Sequence, residues 1–144
     1  MKSKYKILEH TADLKIQANG MDLAELFCNM ATGMYEYIYK FQISKLKCQT
    51  KSKLQITNVK NIKLKADNIE SLLVDWLSEL LYFSDAENLM AVKYDFVKLS
   101  FKELTAKVNF IKAQAKDDIK AVTYHDLSVK KISAGWEAIV VFDI

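Results

Sequence analysis

The chain contains no proline and no arginine, and its only glycines are Gly20, Gly33 and Gly135. So few chain breakers leave no flexible linker and no marked domain boundary. Three scattered glycines also cannot build a phosphate-cradling loop or a dinucleotide fingerprint. The two cysteines, Cys28 and Cys48, match neither a disulfide framework nor a zinc knuckle, and the two histidines, His10 and His125, are too few for a histidine-rich metal site. Cys28 falls beside the apolar face of a helical pattern, where a small buried hydrophobe is expected. No Gly-x-Ser-x-Gly elbow is present. The longest uninterrupted apolar run, 138–142, is far too short to span a bilayer. The first ten residues interleave lysines with Tyr5, Ile7 and Leu8 and lack the apolar block of a signal peptide. A cytoplasmic protein without a membrane segment is expected.

The composition is that of a globular chain: 144 residues, 51% hydrophobic and 27% charged, enough for one domain over 1–144. The net charge of +3 hides an asymmetry. Residues 37–66 hold eight of the 21 lysines and no acid, leaving 13 lysines against 18 acids elsewhere. A basic stretch of this kind attracts RNA phosphates or an acidic protein surface. The plainer reading is a solvated strand pair whose lysines block edge-to-edge association. The absence of arginine, the better residue for bidentate phosphate recognition, favours the plainer one.

Hydrophobic spacing predicts short strands over 5–9 and 14–18, joined by a turn at 10–13. In the second, Leu14, Ile16 and Ala18 face one way. A helix follows, capped by Asp22 with Glu25 as reciprocal partner, its stripe running through Leu23, Leu26, Phe27, Met30, Met34, Tyr37 and Phe41. A second helix, capped by Asp67 or Asn68, carries Ile69, Leu72, Leu73, Trp76, Leu77, Leu80 and Leu81. Alternation then marks strands over 54–57, 62–66, 92–101 (with a phase slip at Phe96-Val97 that implies a bulge), 104–110, 121–123, 127–129 and 136–144. The last is apolar on both faces and should be central. The expected fold is α+β: a two-layer sandwich, its sheet mixed or mainly antiparallel, with two long helices packed on it.

Acid placement is the one chemical signal. Asp143 closes an otherwise apolar strand beside the terminal carboxylate of Ile144, and Asp13 opens another strand. If those strand ends are neighbours, three carboxylates converge and repel unless a cation bridges them. Such an oxygen-only site suits Mg²⁺, Ca²⁺ or Mn²⁺. Alternatively Asp13 caps a turn and Asp143 is simply solvated.

Four blocks, in order, resemble the archease family: EHTAD at 9–13, LLVDWLSELLY at 72–82, IKAVTYHDL at 119–127, and Gly135-Trp136 followed by VVFDI at 140–144. The resemblance implies a non-catalytic partner of an RtcB-type RNA ligase, which joins RNA ends in tRNA splicing or repair. It further implies that the protein speeds guanylylation of the ligase with GTP, so that the ligase turns over repeatedly. The family's metal site falls on Asp13, Asp143 and the terminal Ile144. His10, Lys120, Tyr124 and His125 match other motif positions and are expected on the face that meets the partner. RNA and GTP are then met only through the ligase. This chain departs from its relatives at Lys15, often a small residue, and in the short connection 110–118. Two other classes compete: a stand-alone metal-dependent phosphohydrolase or nuclease, and an RNA-binding module using the lysine stretch. For the first, the chain offers no arginine and few histidines to complete the machinery. The second lacks an aromatic-rich nucleic-acid motif.

Overall fold

The computed structural model describes residues 4–9, 12–40 and 56–144. His10, Phe41, Cys48 and the lysines at 45, 47, 51 and 53 lie outside the described residues.

Both helices start where the caps are. Asp22 sits in extended backbone and its Oδ1 accepts the Glu25 N–H at 2.9 Å, opening α1 (Leu23–Tyr39). Glu25 reaches back as expected, but to the Met21 N–H (3.1 Å) instead of that of the cap residue. Asn68, not Asp67, caps α2 (Ile69–Glu87) by accepting the Ser71 N–H at 2.8 Å. With so few glycines, both helices end on other residues in the left-handed region: Lys40 (φ 54°) and Asn88 (φ 55°). Asparagine tolerates that conformation; lysine does so less well. Lys40 is compensated by an ion pair with Asp117 at 3.0 Å and by lying 4.1 Å over the Tyr37 ring. The neighbouring Ile38 carbonyl accepts the Lys116 and Asp117 N–H groups, so the short connection after residue 112 docks on the end of α1.

The strands form two antiparallel sheets. One holds β1 (Tyr5–Glu9), β2 (Asp13–Gly20), β8 (Gly135–Asp143), β6 (Ala121–Val122) and β7 (Ser128–Ile132). β2 pairs with β8 over its whole length, while β6 and β7 pair with opposite ends of β8 on its other edge. β8 is therefore central, as its two apolar faces require. The second sheet runs β3 (Asn58–Lys65), β5 (Glu103–Lys112), β4 (Leu89–Leu99). β4 carries register shifts at Phe96/Lys98, where the phase slip falls, and also at Ala91/Lys93. The inner faces of both sheets and both helices share one hydrophobic core, with Leu14, Ile16, Trp76, Leu104, Val108, Phe110, Val140 and Phe142 fully buried. Among the described residues, no helix is long and apolar enough to cross a membrane.

Two of the three glycines meet where β2 ends and β8 begins. Gly135 has φ 137°, and a Cβ there would lie 2.2 Å from the Gly20 carbonyl oxygen. Both the backbone conformation and the approach of β2 forbid a side chain. Gly135→Ala is therefore expected to destabilise by about 3 kcal/mol, the sum of strained backbone and a displaced carbonyl. Urea unfolding checks this, and a loss under about 1 kcal/mol would show that the turn relaxes.

Candidate functional site

The register of the β2–β8 ladder decides whether the strand-end acids meet. It pairs Asp13 with Asp143, one step beyond the core pair Leu14 and Phe142. Directly opposed residues put their Cβ atoms about 5 Å apart on one face. Because Leu14 and Phe142 point into the core, the two acids share the outer face. Asp13 is half-buried and Asp143 exposed. On the other edge of β8, Ala121 opposes Asp143, and the Lys120 N–H donates to the Asp143 carbonyl at 2.7 Å. Ile144, half-buried, follows one residue on.

The loop at 123–127, between β6 and β7, is clamped to this end of β8. The Thr123 N–H and hydroxyl both donate to the Val141 carbonyl, at 3.0 and 2.7 Å. The same hydroxyl oxygen accepts the His125 N–H at 3.3 Å. Asp126 adopts φ 51°, and its carboxylate lies 3.8 Å from the Lys15 ammonium and 3.4 Å from His125 Nε2. Tyr124 and His125 consequently project outward: Tyr124 is 60% exposed and the His125 side chain 72%. Lys120 is also exposed.

The structure thus brings together Asp13, Asp143, Ile144 and the Lys120 backbone, with Tyr124 and His125 on the adjoining loop. His10 lies outside the described residues. Sequence reasoning gave no role to Lys15, Thr123 and Asp126, which hold that loop. Lys15 sits two residues from Asp13 on the same outer face of β2, the one hint available.

Among the described residues, neither Asp13 nor Asp143 has an ion-pair partner. Two like charges at this spacing repel, so the pair favours a bound cation. Among the described residues, no cluster of three or more His, Cys, Asp or Glu side chains forms. The two carboxylates offer oxygen donors alone, a chemistry that suits a hard divalent cation and not zinc.

These features define a class: an α+β domain of two antiparallel sheets that presents paired acids and a tethered loop on an open sheet end. Residues 5–144 match the Archease protein family (MTH1598/TM1083), and the chain belongs to that family. It is 34% identical over 150 residues to Protein archease of Methanosarcina mazei, covering 98% of this chain and 96% of the relative. Against Protein archease of Pyrococcus furiosus it is 31% identical over 146 residues, covering 94% and 95%. The solution structure of Methanobacterium thermoautotrophicum protein 1598 matches with a TM-score of 0.73 at 26% identity, over 99% of this chain and 100% of that one. A crystal structure from Thermotoga maritima, described as "an archease, possible chaperone", shares the fold with a TM-score of 0.61 at 18% identity, over 96% of each chain.

Proposed function

We propose that this archease is a non-catalytic, cytoplasmic activator of an RtcB-type RNA ligase, promoting ligase guanylylation with GTP and multiple turnover in tRNA splicing or RNA repair. The observation that carries the reading is the cross-strand pairing of Asp13 with Asp143 beside a tethered, outward-facing loop. A divalent cation (Ca²⁺, Mg²⁺ or Mn²⁺) would supply a fixed positive charge at the sheet end. Asp13, Asp143 and the Ile144 carboxylate would hold it through oxygen. Lys15, through Asp126, keeps the 123–127 loop over β8 and so keeps Tyr124 and His125 turned toward a partner. Lys120 adds a second positive group next to the acids. Such a surface is suited to docking against another protein's nucleotide site, because the acids lie on an open sheet end and not in a closed cleft.

The test is ligation by the cognate ligase held far below its RNA substrate, with GTP. Many turnovers are expected with the protein and about one per ligase without it. Asp13→Ala, checked for folding by circular dichroism, should lose the stimulation. Undiminished stimulation by Asp13→Ala together with Asp143→Ala would sink the reading. Hydrolysis of GTP or RNA by the protein alone would move it to the metal-dependent hydrolases.

A further inference from the structure

The opposite end of the same β2–β8 ladder carries a second surface, independent of the acid pair. Asp13–Asp143 and Gly20–Trp136 are the two terminal pairs of that ladder, about 24 Å apart at the usual rise per residue. Beyond Trp136 the turn from β4 to β5 brings Phe101 edge-on to the indole, with ring centroids 5.8 Å apart and planes at 76°. Phe101 nevertheless stays 55% exposed. Beside it lies an open cleft of about 510 Å³ lined by Leu23, Leu99, Ser100, Phe101 and Lys102.

The charges at this end are sorted. Lys65 and Lys98 both pair with Glu103, and Lys130 pairs with Glu137. Lys102 and Lys131 have no ion-pair partner among the described residues. They flank the aromatic pair, Lys102 next to Phe101 in sequence and Lys131 with its ammonium 6.0 Å from the Trp136 ring centroid. An apolar cleft with Lys102 in its wall, and Lys131 over the Trp136 ring that Phe101 adjoins, complements an apolar anchor bordered by acids.

We propose that this cleft docks a protein segment in which leucine- or phenylalanine-type side chains lie between aspartates and glutamates. The anchor would fill the cleft against Leu23, Leu99 and Phe101, and the acids would reach Lys102 and Lys131. A single-stranded nucleic acid also pairs aromatic rings with cations. It fits less well, because the exposed lining of the cleft is mainly apolar and only Ser100 and Lys102 bring polar side chains to meet the edges of a base.

The experiment is an NMR titration of the ¹⁵N-labelled full chain with a capped hexapeptide carrying Leu-Phe between acidic pairs. Two comparison probes are the same apolar centre between lysines, and single-stranded oligouridine. The acidic peptide should shift the amides of 99–102 and the Trp136 indole saturably, with affinity falling as salt rises. Lys102→Glu with Lys131→Glu should weaken it roughly tenfold or more, as expected for reversing two rim charges. Phe101→Ser, a change at an exposed position, should remove most of the response. The idea fails if the lysine-flanked peptide binds equally well, if oligouridine and not the peptide shifts these signals, or if none of the probes does.

Discussion

Trp76→Ala is expected to cost about 4 kcal/mol, within the range for deleting a fully buried large aromatic. Trp76 has no solvent exposure and joins three elements. From α2 its ring meets Phe27 of α1 at 6.5 Å, and Tyr94 and Phe96 of β4 at 5.6 and 5.2 Å. Its Nε1–H donates to the Phe27 carbonyl at 3.2 Å. Burial pushes the neighbouring Tyr94 phenol well above its ordinary range. Alanine would leave a cavity bounded by three aromatic rings that cannot collapse without moving β4 against α1. A loss of this size is a large share of the roughly 5–15 kcal/mol that holds a typical domain, and should lower Tm by about 13 °C. Trp76→Phe keeps much of the ring packing but drops the hydrogen bond, and should cost about 1.5–2 kcal/mol. Guanidinium unfolding followed by far-ultraviolet dichroism separates the two variants. Equal losses for phenylalanine and alanine would mean that the hydrogen bond, and not the packing, carries the junction.

Trp76 was legible as a core residue because α2 repeats apolar positions from Ile69 to Leu81, between about three and four turns, along one face. What it touches was not, since those contacts join segments whose pairing no local pattern encodes. The α1 stripe was read too narrowly. Tyr35, Ile38 and Tyr39 are buried as well, because α1 is covered by β1, β2 and β8 and also meets β4 and α2. β3 was misread in its limits for a definite reason. Lys60 stands at an inward position and breaks the alternation, its ammonium 4.7 Å over the Phe83 ring and 3.4 Å from Glu87. An inward lysine that snorkels out along an aromatic face looks, in sequence, like the end of a strand. In β4 the slip at Phe96 was visible because polar and apolar residues alternate there. The shift at Ala91 was hidden in the uniformly apolar run Met90-Ala91-Val92, which carries no phase.

At the site, the acids were legible from their positions at strand ends, and the register then supplied what spacing could not: that the two strands are neighbours in step. The Lys15–Asp126 contact joins residues far apart in the chain and depends on a left-handed backbone at Asp126, which no periodicity announces. Lys15 is therefore more than a tolerated surface substitution. Its ammonium offsets one carboxylate of the loop, while Asp13 and Asp143 have no ion-pair partner among the described residues, so acids lie at the sheet end with cationic groups beside them.

That unpaired state leads to a prediction with a change of sign. In a chelator, wild type carries two opposed carboxylates on adjacent strands, and Asp143→Asn removes the repulsion while keeping the shape. The variant should then melt at or slightly above the wild-type temperature, since removing a like charge opposite another stabilises a strand pair by a few tenths of a kcal/mol. With a divalent cation at 100 times its dissociation constant, wild type should gain about 2.7 kcal/mol by binding to the folded state alone. For a chain of this size that raises Tm by about 5–10 °C. Asp143→Asn loses a charged oxygen ligand and should gain less than about a third of that, so the order of the two proteins reverses. Fusing residues after Ile144 turns its carboxylate into a peptide carbonyl and should weaken the cation response in the same direction. Calorimetry with Ca²⁺, Mg²⁺ and Mn²⁺ in turn reads all three proteins. A wild type indifferent to every cation would leave Asp13 and Asp143 as solvated strand-end acids, and a variant that gains as much as wild type would place the cation elsewhere.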